Sequence, residues 1–209
     1  MTLDPSPGHT DVLSLLEPLD VALGPALADL HARLALDAQL THTLDIAYRT
    51  VDSPVGKLLL AATDRGIIRV AFELENHDSV LQLLADTVSP RILEAPTRLD
   101  DAARELEEYF AGTRRDFDLI LDFRLSRGFR LNVLRHLPRI PYGNTASYAQ
   151  VAQAAGSPNA VRAVGTACAT NPLPVIVPCH RVVKSDGSFG GYLGGPEAKR
   201  ALLTLEAAA

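Results

Sequence analysis

Between residues 44 and 73 the apolar positions come in short bursts broken by polar pairs and glycine. "LDIAYRTVDSPVGKLLLAATDRGIIRVAFE" predicts three short strands with turns at Ser53–Gly56 and Asp64–Gly66, an antiparallel meander. The period then lengthens. Helical stretches are predicted near 78–87 and 99–111, and "FDLILDF" (117–123) reads as one more strand. Residues 44–122 are therefore expected to form a small α+β unit.

Beyond about residue 126 the pattern is helical. "SRGFRLNVLRHL" (126–137) predicts one helix, closed by Pro138 and Pro141. In "TASYAQVAQAAG", Ser147 is the N-cap, Gln150 completes a capping box three residues later, and Gly156 is the stop. After the turn "GSPN" a second short helix is predicted over about 160–170. It must end before Pro172, which disfavours helical geometry at Asn171. Two short helices on a tight turn match a helix-turn-helix. In the second, Val161, Val164 and Cys168 form the expected buried face, so Cys168 reads as a small core residue. The opposite face carries Arg162, Gly165, Thr166 and Ala169. A lone arginine among small side chains suits close approach to a DNA groove, with the guanidinium free to probe the base stack.

Residues 1–43 form a Pro- and Leu-rich lead-in interrupted at Pro18 and Pro25, in which "ALADLHARLALDAQL" (26–40) has the spacing of an appended helix. His31 and His42, with no cysteine near them, make a poor metal pair.

Composition narrows the picture. A chain of 209 residues, 47% hydrophobic and 22% charged, suits one or two globular domains. It has no run of 18 apolar residues and no basic–apolar–small leader, so neither a membrane span nor secretion is expected. Two cysteines, Cys168 and Cys179, make neither a disulfide framework nor a zinc site, and a reducing compartment fits. The net charge of −5 is unevenly spread: residues 124–209 hold ten Lys or Arg against three acids. Either the basic half meets a polyanion or it presents a solvated basic face.

The candidate chemistry lies in "PVIVPCHRVV" (174–183). Val175, Ile176 and Val177 read as a buried strand fenced by Pro174 and Pro178, with Cys179 at its end. Adjacent side chains on a strand face opposite ways, so Cys179 and His180 cooperate only if the chain turns there or a water bridges them. A nucleophilic cysteine needs a lowered pKa, and His180 and Arg181 bring proton-accepting and cationic character. A third group should orient the histidine. "GGPEAKRALLTLE" predicts a helix entered through Gly195 and Pro196, with Ala198, Ala201, Leu202 and Leu205 as its buried stripe. Glu206 sits at the stripe's edge, in a last turn whose dipole it opposes. It is either that orienting group or an ordinary exposed terminal glutamate.

"PCHRV" preceded by "NP" and followed by "GGY.GG...K..LL..E", over about residues 44–206, resembles the O6-alkylguanine-DNA alkyltransferases, also called methylated-DNA–protein-cysteine methyltransferases. The resemblance implies an α+β fold: a ribonuclease-H-like α/β domain over 44–122 and a helical, winged-helix-like helix-turn-helix domain over 123–209, with 1–43 as an extension. It implies Cys179 as alkyl acceptor, His180 as its water-bridged base, Glu206 as the partner of His180, and Asn171 as the brace of the active-site loop. Tyr148 resembles the tyrosine that rotates the target phosphate, and Tyr192, the backbone at Leu193 and the carbonyls of Cys179 and Val182 would line the base pocket. Arg162 would fill the gap left by a flipped base, with Gly165, Thr166 and Ala169 lying in the minor groove.

The implied function is single-turnover repair of O6-alkylguanine in double-stranded DNA, with O4-alkylthymine open as a second substrate. No cofactor, metal or membrane is expected, and a monomer is. The compartment would be the cytoplasm and nucleoid in a bacterium, or the nucleus in a eukaryote. Some members hold a structural zinc through N-terminal cysteines, which are absent from this chain. "FRLNVLRHL" replaces the family's usual Phe-Gln start and tryptophan, and Leu193 stands where many members have a small or polar residue, which bears on pocket size. The cysteine-lacking alkyltransferase-like proteins are set apart by Cys179. Two other classes fit the bare motif: a Cys-His hydrolase, which would turn over, and a non-catalytic helix-turn-helix regulator.

Overall fold

The computed structural model describes residues 26–27 and 29–208, in two units that divide after Thr43. In the first unit, residues 26–27 and 29–40 are helical, in keeping with the spacing there. The residues before 26 lie outside the described ones.

In the second unit the meander forms as expected. β1 (Ile46–Val51), β2 (Leu58–Thr63) and β3 (Gly66–Phe72) pair antiparallel in sequence order. A fourth strand, β4 (Ile92–Glu94), joins parallel to β1 and gives the order β3-β2-β1-β4. Its three residues stand between Pro90 and Pro96, too short to show alternation, which is why the pattern gave no sign of it. The expected strand at 117–123 reduces to a single parallel bridge, Ile67 with Leu121. The Ile67 amide donates to the Ile120 carbonyl and the Asp122 amide to the Ile67 carbonyl. Pairing then stops, because the buried Asp122 carboxylate turns to accept from Thr63 and from the Arg124 amide. Ile120 is left 78% exposed.

Every residue of β2 is buried because both faces of the sheet are covered. On one face α1 (His77–Thr87) lays Val80 and Leu84 over Ile46, Leu59 and Ile68. Leu58, Leu60, Val70 and Phe72 on the other face join α2 (Asp100–Phe110) in a larger cluster. That cluster continues without a break into the C-terminal helices through Val133, Leu134, Val151, Val164 and Leu202.

α3 (Gly128–His136) ends in a 3-10 turn at Leu137–Arg139, and α4 (Tyr148–Ala154) opens with the expected Ser147–Gln150 capping box. Gly156 takes φ +80°, the left-handed conformation that ends such a helix. α5 (Val161–Ala169) follows, and the C-terminal α6 (Gly195–Ala207) begins at Gly195 itself. A two-residue parallel pairing of β5 (Ala146–Ser147) with β6 (Val182–Val183) ties the start of α4 to the segment after Cys179.

Three expectations need correction. Val161 is 38% exposed, and the buried face of α5 is Val164, Ala167 and Cys168, because α5 turns its first residue outward. On α6, Ala201 is exposed and Lys199 is buried, alongside Ala198, Leu202 and Glu206, so the covered stripe lies one position round from the expected one. Residues 175–177 are buried but form a tight loop rather than a strand, with Val175 at φ +72°. Pro172, Pro174 and Pro178 remove the donors a ladder needs.

Candidate active site

Asn171, fully buried just past α5, holds the loop that replaces the expected strand. Its Nδ2 donates to the Val177 carbonyl at 2.9 Å and reaches Cys179 Sγ at 3.1 Å, while its Oδ1 accepts from the Leu173 amide at 3.0 Å. One side chain thus ties the loop's start to its end. β3 braces the loop from outside: the Val70 amide donates to the Pro172 carbonyl at 2.8 Å and Arg69 to the Asn171 carbonyl at 3.4 Å. The loop delivers Cys179 into a 3-10 turn, Cys179–Arg181. With three residues per turn, successive side chains diverge by about 120° instead of alternating between two faces. The chain does turn at the cysteine.

His180 and Arg181 both meet Glu206 on α6. His180 Nε2 lies 2.8 Å from Glu206 Oε1, and Arg181 donates to both carboxylate oxygens, from Nε at 2.9 Å and from Nη2 at 3.0 Å. The Gly143 amide adds a bond to Oε2 at 3.2 Å, and Tyr109 on α2 donates its hydroxyl to Oε1 at 2.7 Å. Burial alone pushes the Glu206 carboxyl up, but the bonds from His180 and Arg181 outweigh it and bring it down to about 2. A carboxylate that stays ionised only accepts, so His180 must carry its proton on Nε2. Nδ1, buried and without a partner among the described residues, is then the basic nitrogen.

Burial lowers His180, with Glu206 opposing and Arg181 and Lys199 adding to the fall, so the ring is neutral at rest. The Cys179 thiol departs from expectation. Burial pushes it up to about 11, against the opposing pull of the Asn171 amide and Lys199. Arg181 is spent on Glu206 and on the Ile140 carbonyl (2.7 Å), so it lends the sulfur little charge. At rest the turn holds a neutral thiol at Cys179 and a neutral imidazole at His180.

Around this centre, Tyr192 is wedged edge-on against Phe72 (5.6 Å between centroids) and His180 (6.3 Å), and its buried hydroxyl lies by the Val175 backbone amide and donates to no acceptor among the described residues. Gly194 makes that packing possible, since a Cβ there would fall 2.7 Å from the Phe72 ring. Tyr148 opens α4 with its hydroxyl against Gly190. The Val182 carbonyl accepts from Lys199 Nζ at 2.6 Å, and Leu193 is half-buried against the core. Arg162, Thr166 and Ala169 are exposed on one face of α5 with Gly165 between them.

Tyr109 and Gly143 were not anticipated, and Lys199 stood in the quoted pattern with no role assigned. Lys199 had a signal: it stands three and seven residues before Leu202 and Glu206, on the same helix face. Nothing in the sequence around Tyr109 tells that its hydroxyl ends on a carboxylate 97 residues away. Among the described residues no cluster of three His, Cys, Asp or Glu is arranged to hold a metal, and no helix is long and apolar enough to cross a membrane.

Residues 46–123 match the ribonuclease-like domain of 6-O-methylguanine DNA methyltransferase, and residues 128–208 match its DNA binding domain. The chain belongs to this methyltransferase family. A methylated-DNA–protein-cysteine methyltransferase of Mycolicibacterium paratuberculosis is 42% identical over 164 residues, 77% of this chain and 92% of its own length. The constitutive enzyme of Bacillus subtilis is 40% identical over 160 residues, covering 76% and 94%. The crystal structure of Mycobacterium tuberculosis O6-methylguanine methyltransferase superposes with a TM-score of 0.69 at 38% identity, over 78% of this chain and 93% of that one. A structure of Mycobacterium tuberculosis OGT in complex with DNA gives 0.68 at 40% identity over the same shares. The α+β fold is that of the methyltransferases: a ribonuclease-like sheet domain followed by a helical DNA-binding domain.

Proposed function

We propose that this methyltransferase repairs O6-alkylguanine in double-stranded DNA by moving the alkyl group irreversibly onto Cys179. The observation that carries the reading is the buried line Glu206–His180 beside Cys179, with Nδ1 of His180 left as the basic nitrogen. In this reading the Cys179 proton passes through a water to Nδ1, and Glu206 stabilises the imidazolium that forms. The sulfur attacks the alkyl carbon, the S–C bond forms as the C–O6 bond breaks, and the electron pair leaves with guanine, which is then protonated. The Tyr192 hydroxyl, buried and with no acceptor for its proton among the described residues, is the donor we assign to the leaving base. A thioether does not hydrolyse readily, so each molecule acts once and consumes no cofactor.

An alkylated base inside a duplex is out of reach, and extruding it costs on the order of a few kcal/mol. We assign the α5 face, Arg162 with Gly165, Thr166 and Ala169, to minor-groove contact that offsets this cost, and Tyr148 to the target phosphate. Val182 and Leu193 would border the base pocket, with Asn171 holding the loop. We divide the chain into an extension (1–43), a ribonuclease-H-like domain (44–122) and a DNA-binding and transfer domain (123–209), acting as a monomer. O4-alkylthymine is a second candidate substrate, and the cytoplasm beside the nucleoid is the compartment that suits a bacterial protein of this kind.

Intact-mass measurement after incubation with a duplex containing O6-methylguanine tests the reading. One methyl per protein molecule is expected, mapping to the peptide that holds Cys179, with Cys168 as internal control. Adduct on Cys168, or sustained turnover of the kind a Cys-His hydrolase would show, overturns it.

A further inference from the structure

Tyr109 lies within the stretch matched by the ribonuclease-like domain, yet its hydroxyl ends in the Glu206–His180 pair. α2 buries Ala102, Glu105, Leu106 and Tyr109 along one face, which drives the tyrosine inward. Its ring is held by Phe110, Phe117 and Tyr142, with centroids 5.4, 5.2 and 6.0 Å away. From that socket the hydroxyl donates to Glu206 Oε1 at 2.7 Å and passes 3.5 Å from His180 Nε2. Oε1 is the same oxygen that receives the His180 proton.

We propose that Tyr109 is a positioning residue for alkyl transfer, fixing Glu206 Oε1 against His180 Nε2 and tempering the pull of that oxygen on the imidazole proton. The inference rests on the alkyl-transfer reading above. A carboxylate oxygen that shares its charge among several donors attracts each N–H less strongly. Arg181 alone could clamp Glu206 in place, but its bonds are divided between the two oxygens. Tyr109 loads Oε1 selectively. It remains a neutral donor at any working pH, because burial and the neighbouring carboxylate both push its ionisation far up.

The electrostatic surroundings of the pair are few. His180 faces Glu206 and Lys199 from α6, Arg181 from its own turn, Tyr109 from α2, and the Tyr192 ring from the segment before α6. Glu206 also has Tyr142 beside it, whose hydroxyl points to the Leu205 carbonyl and whose ring carries the Arg115 guanidinium. Removing the Tyr109 hydroxyl leaves every other charge in place. Glu206 then holds the imidazolium more tightly, and His180 becomes easier to protonate.

The test is Tyr109→Phe, which keeps the ring in its socket. Single-turnover transfer from a saturating O6-methylguanine duplex is followed against pH, with a thermal melt to confirm folding. The acid limb of the rate profile should move up by about half to one pH unit, and the plateau rate should fall about three- to tenfold, because Glu206 Oε1 is no longer held in place and that loss of positioning outweighs the stronger base. The His180 ring nitrogens in 15N-labelled protein should titrate upward by the same interval, a readout that needs no substrate. A rate profile and a His180 titration that stay where the wild type has them overturn the proposal, whatever happens to the melt, and leave Tyr109 a packing residue. Wild-type protein that leaves Cys179 unmodified overturns the alkyl-transfer reading itself, and this one with it.

Discussion

The side-chain amide of Asn171 stands 3.1 Å from Cys179 Sγ, although the two are eight positions apart in the chain with three prolines between them. The same nitrogen also holds the Val177 carbonyl, so the loop's shape and the sulfur's surroundings depend on one group. Asn171→Ala removes both bonds and leaves the buried Leu173 amide without its acceptor. Each such orphaned group costs about 1–3 kcal/mol. A lower melting temperature is expected, together with slower modification of Cys179, because the amide also opposes the burial that raises the thiol. Thermal denaturation and single-turnover transfer check the two effects. A variant that melts lower but transfers at the wild-type rate would show that the amide braces the loop without tuning the sulfur.

Acid should unfold this protein in two stages. Burial holds the folded His180 below its ordinary 6.5, so the unfolded chain takes up a proton first and stability falls once the pH drops below 6.5. Glu206 is held at about 2 against an ordinary 4.5, so its contribution is complete above 4.5 and is lost between 4.5 and 2. Glu206→Gln removes the Glu206 share of the second stage and leaves that of Asp45, Glu108 and Asp186, which their partners also hold low. At neutral pH that variant leaves Arg181 as an unpaired buried charge, which costs about 3–5 kcal/mol. Without Glu206 the His180 ring is held lower still, so the stability deficit against the wild type should grow below pH 6.5, and it should shrink as the pH falls from 4.5 to 2. Melting temperatures of both proteins across pH 2–8 check this. Transfer by the variant, measured on the folded fraction, should slow ~10²–10⁴-fold.

The parts of this site legible in the sequence are those set by local rules. The Ser147–Gln150 capping box, the Gly156 stop and the meander's turns each depend on a few adjacent residues, and each forms as read. Cys179, His180 and Glu206 were legible as a motif with its spacing. What escaped the pattern depends on distant partners. Val175–Val177 has the composition of a strand, yet the Asn171 side chain and three prolines bend it into a loop. Tyr109 is indistinguishable from a core aromatic until α2 and α6 are brought together. The thiol's raised pKa follows from complete burial, which "PCHR" does not reveal.

Substitution of Arg162 tests whether base extrusion can be separated from chemistry. It is exposed on α5 beside Gly165, Thr166 and Ala169, and a Cβ placed on Gly165 would meet nothing within 4 Å, so that face is open to a groove. If the guanidinium fills the space an extruded base vacates, Arg162→Ala loses an interaction made only in the extrahelical state. Transfer from a duplex substrate should then slow by about tenfold or more, in keeping with a side chain worth ~1–3 kcal/mol at a base step. A free modified base such as O6-benzylguanine needs no extrusion, and its reaction with Cys179 should be nearly unchanged. Arg162→Lys keeps the charge without the planar head and should restore duplex transfer only in part. A phosphate contact would leave a different trace: uniformly weaker DNA binding and a salt slope reduced by about one. Equal slowing of the duplex and free-base reactions would mean that Arg162 supports the pocket's structure, and the α5 face would no longer be the surface that enters the groove.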